Sequence, residues 1–419
     1  LITSAQELAG LAYRVNSGTN YSGTYFRQTQ DIDLSAHYWT AIGNSDNYFR
    51  GYYDGNNNDI SGLYTPSGSD NSNNYQGLFG YVRGGNSVYD LLIENINIKN
   101  SSIQGNINVG GIVGYAYAVT ISNCYNEASI SGSARVGGIV GNGDWALIED
   151  CVNLGTISST NGPSGGITGI NRYTTTRCCN TARISGTTTG GIAGTNNAGS
   201  VDNCYNTGNV SGSAYAGGIV GLNEASSSRH ATIRDCYNTG NISGSSMVGG
   251  IIGRNSSLYS GRYYGRVSNC FNTGNVSENA TNVGGIAGSI NTAQFSKLYF
   301  GGNCSLSNGV GGNSSSNACI RIDDLDSTTY AKNRTWYTTL SNWNAAYPWD
   351  FTNIWNISSS INDGYPYLRP FYEYSISYNY NGGSAGSSTP EYALKDEIIT
   401  ISNPTPASGY RFTGWTASG

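Results

Sequence analysis

The string GGIxG occurs seven times in this chain, at 110–114, 137–141, 165–169, 190–194, 217–221, 249–253 and 284–288. A second string, Cys-x-Asn, is interleaved with it, from Cys124-Tyr125-Asn126 to Cys270-Phe271-Asn272. Between the two stands an aliphatic β-branched residue followed by Ser: Ile130, Ile157, Ile184, Val210, Ile242 and Val276. Motifs that recur in one fixed order restrict the chain to architectures made by stacking a single supersecondary unit.

The spacings say where that unit varies. Successive GGIxG strings start 25 to 35 residues apart, and each Cys precedes the next GGIxG by 12 to 14 residues. The stretch from GGIxG to the following Cys instead grows from 9 or 10 residues to between 15 and 17 in the last three copies. Inserted length therefore enters at one corner, and segments 222–232 and 254–266 are expected to be loops there. A unit with three short β-rich runs and no helical period reads as one rung of a parallel β-helix. The expected fold class is all-β, a right-handed parallel β-helix (β-solenoid), the hand following from the usual sense of parallel crossovers.

Rungs too short to bury a face alone must stack, which puts equivalent residues about 4.8 Å apart in ladders. Three ladders are expected. One is aliphatic: Ile112, Ile139, Ile167, Ile192, Ile219, Ile251 and Ile286. The second is Cys124, Cys151, Cys178, Cys204, Cys236 and Cys270, and the third Asn126, Asn153, Asn180, Asn206, Asn238 and Asn272. Asn suits a turn, and stacked amides can bond along the axis. An aliphatic residue three before most of the Cys positions breaks simple alternation, so a bend is expected at Asn123, Asp150, Asp235 and Asn269.

Composition excludes several function classes. Charged residues are 11% of the chain, and the net charge is −5, which disfavours nucleic acid. No run of about 18 apolar residues is present to span a membrane. The opening LITSAQELAG carries no signal-peptide pattern and reads as the interior of a longer precursor, with more protein expected on both sides.

Solenoid ends need caps. Ser4 and Glu7 have capping-box spacing, and Leu8, Leu11, Ala12 and Val15 follow at helical intervals, predicting a short amphipathic helix over the first rung. Residues 1–90 are read as this cap plus degenerate first rungs, and 91–320 as the solenoid. Residues 321–371, with Trp336, Trp343, Trp349 and Trp355, are read as an aromatic-rich C-terminal cap. Residues 372–419 alternate as YSISYNY and DEIITI around Gly-rich turns and are read as a small separate β-domain.

The repeats at 110–288, with TSAQELAGLAYRVNSGTNYSGTYF, WTAIGN, FRGYYDGNNNDISGLY and GLFGYV before them, resemble the GLUG-motif family. The tail SISYNYNGGSAGSSTPEYALKDEIITISNPTPASGYRFTGW resembles the internalin B-type (Listeria–Bacteroides) repeat, here truncated. The combined resemblance implies an extracellular, adhesin-like protein of the bacterial cell surface. GLUG repeats also precede the peptidase module of some surface immunoglobulin A proteases. The family has no agreed catalytic residues to carry over.

The chemistry-bearing residues give little beyond this. Stacked, buried thiols behave as small apolar groups, so free thiols are the favoured reading of the Cys ladder, with Cys304 and Cys319 a candidate disulfide. No zinc spacing accompanies the cysteines; no metal site is expected, Asp323, Asp324 and Asp326 being only a weak calcium candidate. With only His37 and His230, no Ser/His/Asp arrangement is credible, and the acids Asp31, Asp33, Asp54 and Asp59 fall in turn strings. The chain is read as non-catalytic and cofactor-free. Its candidate binding residues are Tyr259, Arg262, Tyr263 and Tyr264 on the longest insertion, since Tyr gives wide contact at low entropic cost. Three functions follow as expectations. The first is a monomeric display or stalk module binding a host or matrix protein or glycan. The second is an accessory domain of a larger surface protease or carbohydrate-active enzyme, and the third a self-assembling filament subunit.

Overall fold

The computed structural model describes residues 1–66, 73–257, 263–291, 293–312, 318–344, 346 and 348–376, and within the tail 378–380, 384, 392–394, 401–408 and 410–413. The chain divides into two compact units, Leu1–Trp349 and Asp350–Gly419. The first is a parallel β-solenoid in which each rung contributes to three sheets.

Sheet A has eight strands, the first beginning in GLFG and the other seven inside the GGIxG strings: Phe79–Arg83, Val113–Tyr117, Val140–Asp144, Thr168–Asn171, Ala193–Asn197, Val220–Ala225, Ile252–Ser257 and Ala287–Ile290. Sheet B carries the approach to each Cys and the Cys-x-Asn string, as in Thr120–Ser122 and Tyr125–Asn126. Sheet C carries the β-branched-Ser run and the approach to the next GGIxG, as in Ser129–Gly132 and Ala134–Gly137. All pairings among these strands are parallel, for example Ile121↔Ile148 and Val136↔Val109, with a register shift between Gly186 and Thr188 in sheet C. Each ladder Ile links to the next rung through its backbone, from Ile112 N–H to the Ile139 carbonyl at 3.1 Å through to Ile251 and Ile286 at 2.9 Å. The seven side chains are fully buried.

GGIxG and Cys-x-Asn turn out to be two sides of one contact. Asn126, Asn153, Asn180, Asn206, Asn238 and Asn272 are fully buried. From Asn126 to Asn238, each donates from Nδ2 to Oδ1 of the next at 2.7–2.8 Å. The other amide hydrogen goes to the carbonyl two residues on, as in Asn206 to Gly208 at 2.7 Å. These amides lie against the second glycine of the first six strings, and Phe300 takes their place at Gly285. A Cβ on Gly138 would stand 2.4 Å from Asn153 Oδ1, and one on Gly191 2.4 Å from Asn206 Cγ. No residue larger than Gly fits beside the amide, so the two motifs recur together. The column ends where its register partners change to Ile98 on one side and Phe300 on the other.

The bend before each Cys is a single residue in the left-handed region. Asn123, Asp150, Arg177, Asn203, Asp235 and Asn269 have φ between 49° and 53°. Asn and Asp tolerate this conformation best, which accounts for five of the six. The bend lets the aliphatic residue and the Cys that follows both face the core, as with Ile148 and Cys151.

At the front, Ala5–Asn16 is an α-helix whose Ser4 side chain accepts from Glu7 N–H. Its buried residues are Leu8, Leu11, Ala12 and Val15, which join the solenoid core. Early rungs pair in parallel despite their lost motifs, through Tyr25↔Tyr52, Ile32↔Ile60 and Tyr53↔Ile93.

The aromatic segment expected as an end cap lies elsewhere. The x of Cys-x-Asn points outward, and in the late rungs it is Tyr205, Tyr237 and Phe271, stacked at 5.1 and 4.9 Å. Trp336, Tyr337 and Trp349 pack on Phe271, and Trp336 and Trp343 on Tyr299. An aromatic outer column needs cover, so the described residues within 333–349 lie along the flank of the last rungs. Trp355 belongs to the second unit, where Trp355–Asn356 pairs antiparallel with Tyr367–Leu368. Glu373 there accepts from Asn356, Tyr367 and Arg369. No helix of the described residues is long and apolar enough to cross a membrane.

Truncating the middle of the amide column leaves three buried polar groups unpaired. Asn206→Ala is expected to lower stability in urea denaturation by at least about 3 kcal/mol. Asn272→Ala, at the column's end, strands fewer groups and is expected to cost less. Equal losses would mean that the axial bonds do not matter.

Candidate functional site

Length enters each rung between sheet A and sheet B, and a second amide column closes that corner. Asn171, Asn196, Asn223 and Asn255 are fully buried, and each of the first three donates along the axis from Nδ2 to Oδ1 of the next at 2.7–2.8 Å. Each also bonds a carbonyl at the start of sheet B: Ser200, Gly199, Ala231 and Gly265 respectively. The last two bonds span 8 and 10 residues, so they bracket the inserted segments. The coil keeps its section while the loops outside the clamp change length. This column was legible as GGIxGxN in four copies, but the Asn of Cys-x-Asn drew the reading away from it.

Outside the clamp the corner is aromatic and basic. Trp145 follows the sheet A strand of its rung, is 50% exposed, and has φ +54°. Tyr173 takes the corner of the next rung, with Arg172 before it donating to Asn142 at 2.8 Å. The Arg229 guanidinium lies over the Tyr173 ring at 5.7 Å. On the rungs before, Arg83 lies over both Tyr48 and Tyr117 at 5.2 Å.

The two insertions meet at His230. Its Nδ1 accepts the Tyr264 N–H at 2.9 Å, and its ring packs edge-on against Tyr263 with centroids 5.1 Å apart. With Nδ1 so engaged, His230 acts here as a tie between loops. Ser257 Oγ donates to the Tyr263 carbonyl at 2.8 Å, drawing the two ends of the second insertion together. Of the four binding residues read from sequence, Tyr263 and Tyr264 thus stand beside His230, while Tyr259 and Arg262 lie outside the described residues. Tyr173 is one of the turn tyrosines the sequence offers for contact, whereas Trp145, Arg172, Arg229 and His230 are not singled out by it. Aligning rungs on the last glycine of GGIxG would have found Trp145 and Tyr173 where other rungs have Ala118 and Ala198.

The remaining candidates are spread along the coil. The six ladder thiols are buried and free, as are those of Cys179 and Cys304; Cys319 is half-buried, and the candidate Cys304–Cys319 disulfide is not formed. Burial pushes Cys151, Cys204 and Cys270 well above the ordinary thiol range and Cys179 up to about 12, which keeps these sulfurs protonated and unreactive. Asp323 pairs with Arg321 at 2.7 Å. Among the described residues no group of three or more His, Cys, Asp or Glu is placed to hold a metal ion.

Two carboxylates on sheet B are unusual. Asp202 and Asp235 flank Arg234, with Asp235 also accepting from Asn269 at 2.9 Å. Burial outweighs these partners, raising Asp202 to about 6 and Asp235 to about 8.

The GLUG motif family profile matches residues 105–131 and 212–243, so the chain carries GLUG repeats. No curated protein matches it. A solved structure of a candidate immunoglobulin A1 protease from Bacteroides ovatus aligns with TM-score 0.47 at 19% identity, covering 88% of this chain and 91% of that one.

A carboxyl held protonated by the fold gives stability that is full below its unfolded pKa of about 4 and is lost as pH rises to the folded value. Asp202 completes its change near 6, so Asp235 is the carboxyl of this pair that titrates between 6 and 8. Wild-type melting temperature is expected to fall across that window, and Asp235→Asn to flatten the fall. Parallel profiles for the two proteins would show that Arg234 keeps Asp235 ionised.

Proposed function

We propose that this chain is a non-catalytic display module of an extracellular bacterial surface protein, presenting the sheet A–sheet B corner to a host or matrix ligand. The observation that supports this most directly is the second amide column. It lets the 226–230 and 258–264 segments vary on a fixed support, which is how rigid scaffolds carry binding loops. Exposed Trp145 and the Tyr and Arg side chains around it are the residue types that dominate binding energy at contact surfaces. The adhesin-like reading and the internalin B-type assignment of 372–419, as a spacer toward further modules, belong to the same proposal.

The test is a screen of the full chain against host proteins and glycans, beside a variant in which 258–262 is replaced by two glycines. Ser257 and Tyr263 are already linked, so the coil should close without strain and keep its melting temperature. Hits that weaken by about tenfold in the variant or in Trp145→Ala place binding at the corner. Hits unchanged in both variants would move the function elsewhere on the coil, and hydrolysis of any screened ligand would overturn the non-catalytic reading.

A further inference from the structure

Trp145 combines two costs that a structural residue rarely carries together. A bulky side chain in the left-handed region costs about 1 kcal/mol or more, and an indole half in water forgoes about half of its burial. At equivalent corners the chain uses Ala118 and Ala198 with φ of 50° and 55°, so the turn does not require Trp. Strain kept at an exposed site is a reason to look for a ligand.

The surroundings narrow its chemistry. Trp145 and Tyr173 occupy the same corner on successive rungs, about 4.8 Å apart along the axis, a rise comparable to the length of one pyranose unit. Arg83 and Arg229 are exposed, and Arg172 is half-buried between them along the axis. Each of the two exposed guanidiniums is already held over a Tyr ring, which fixes its position while leaving donors for an anion. Two acids share these rungs: Asp144 accepts from Tyr115 at 3.2 Å, and Glu224 from Asn197 at 3.4 Å and Ser256 at 3.5 Å. Three guanidiniums against these two carboxylates leave a small positive excess on an aromatic strip along the axis of a chain whose net charge is −5.

We infer that this corner binds a linear glycan bearing repeated carboxylates, a uronic-acid polymer, lying along the solenoid axis. Sugar faces stack on Trp145 and Tyr173, and carboxylates meet Arg83, Arg172 and Arg229 as charge-assisted pairs. A repeating ligand matches a repeating corner, whereas a single acidic sugar would use one rung only. The inference rests on the display reading above and specifies its ligand.

The full chain is titrated calorimetrically with a hyaluronan decasaccharide and a galacturonate octamer, each beside its carboxyl-reduced counterpart. At least one acidic oligomer is expected to bind, with about tenfold weaker binding after carboxyl reduction and about tenfold weaker binding by Trp145→Ala or by Arg172→Ala with Arg229→Ala. Salt at about 1 M, where the Debye length is about 3 Å, is expected to weaken it further. Trp145→Ala should melt with the wild type, since Ala118 and Ala198 adopt the same backbone. Equal binding of reduced and acidic oligomers, or none of either, overturns the glycan class. If a ligand from the wider screen still depends on Trp145, the display reading survives that result; if none does, both fail.

Discussion

A column of buried primary amides set against glycine backbone holds this coil in register. Each amide from Asn126 to Asn272 carries two donors and an acceptor into a mostly apolar core, and leaving any of them unpaired would cost more than the net gain from making the bond. The only arrangement that pairs them all places the next amide directly above, so every rung must repeat the same backbone path. A slip of one residue in any rung would bury unpaired amides and push side chains into the space that Gly138 and Gly191 keep open. The aliphatic and thiol columns add burial, but they tolerate small shifts; the amides do not.

The second column, Asn171 to Asn255, uses the same bond for a different purpose. By tying the end of sheet A to the start of sheet B, it separates the geometry of the coil from whatever lies outside the corner. Segments of very different length can then be carried by rungs of one shape. The corner is consequently where sequence is free to change, and it is where Trp145, Tyr173, Arg229 and His230 collect. Rigidity beneath and variation above are the physical basis for reading it as a binding surface.

Elsewhere the outer face follows from what the inner ladders leave over. Alternation sends the middle residue of each Cys-x-Asn string outward, and its change from Val152 and Cys179 to Tyr205, Tyr237 and Phe271 makes that flank continuously aromatic in the late rungs. Residues 333–349 then have a surface to fold against. The left-handed residue before each Cys also points its side chain outward, where Asn269 bonds Asp235 and Arg177 pairs with Asp150. These polar columns run beside the core without entering it.

The sequence by itself determined the repeat, the parallel stack, the N-terminal helix and the residues of three ladders, because strict spacing leaves one way to stack short strands. It also located the corner that admits insertions, and within it Tyr263 and Tyr264. Tertiary structure alone decided that GGIxG and Cys-x-Asn touch, since the glycine and the amide meet across the core from different sheets. It likewise decided that Trp336, Trp343 and Trp349 cover a flank, that His230 ties the two insertions, and that Trp145 stands exposed in a strained turn. Those facts depend on which side chains neighbouring rungs place together, and spacing along one chain carries no record of contacts between rungs until the register is known.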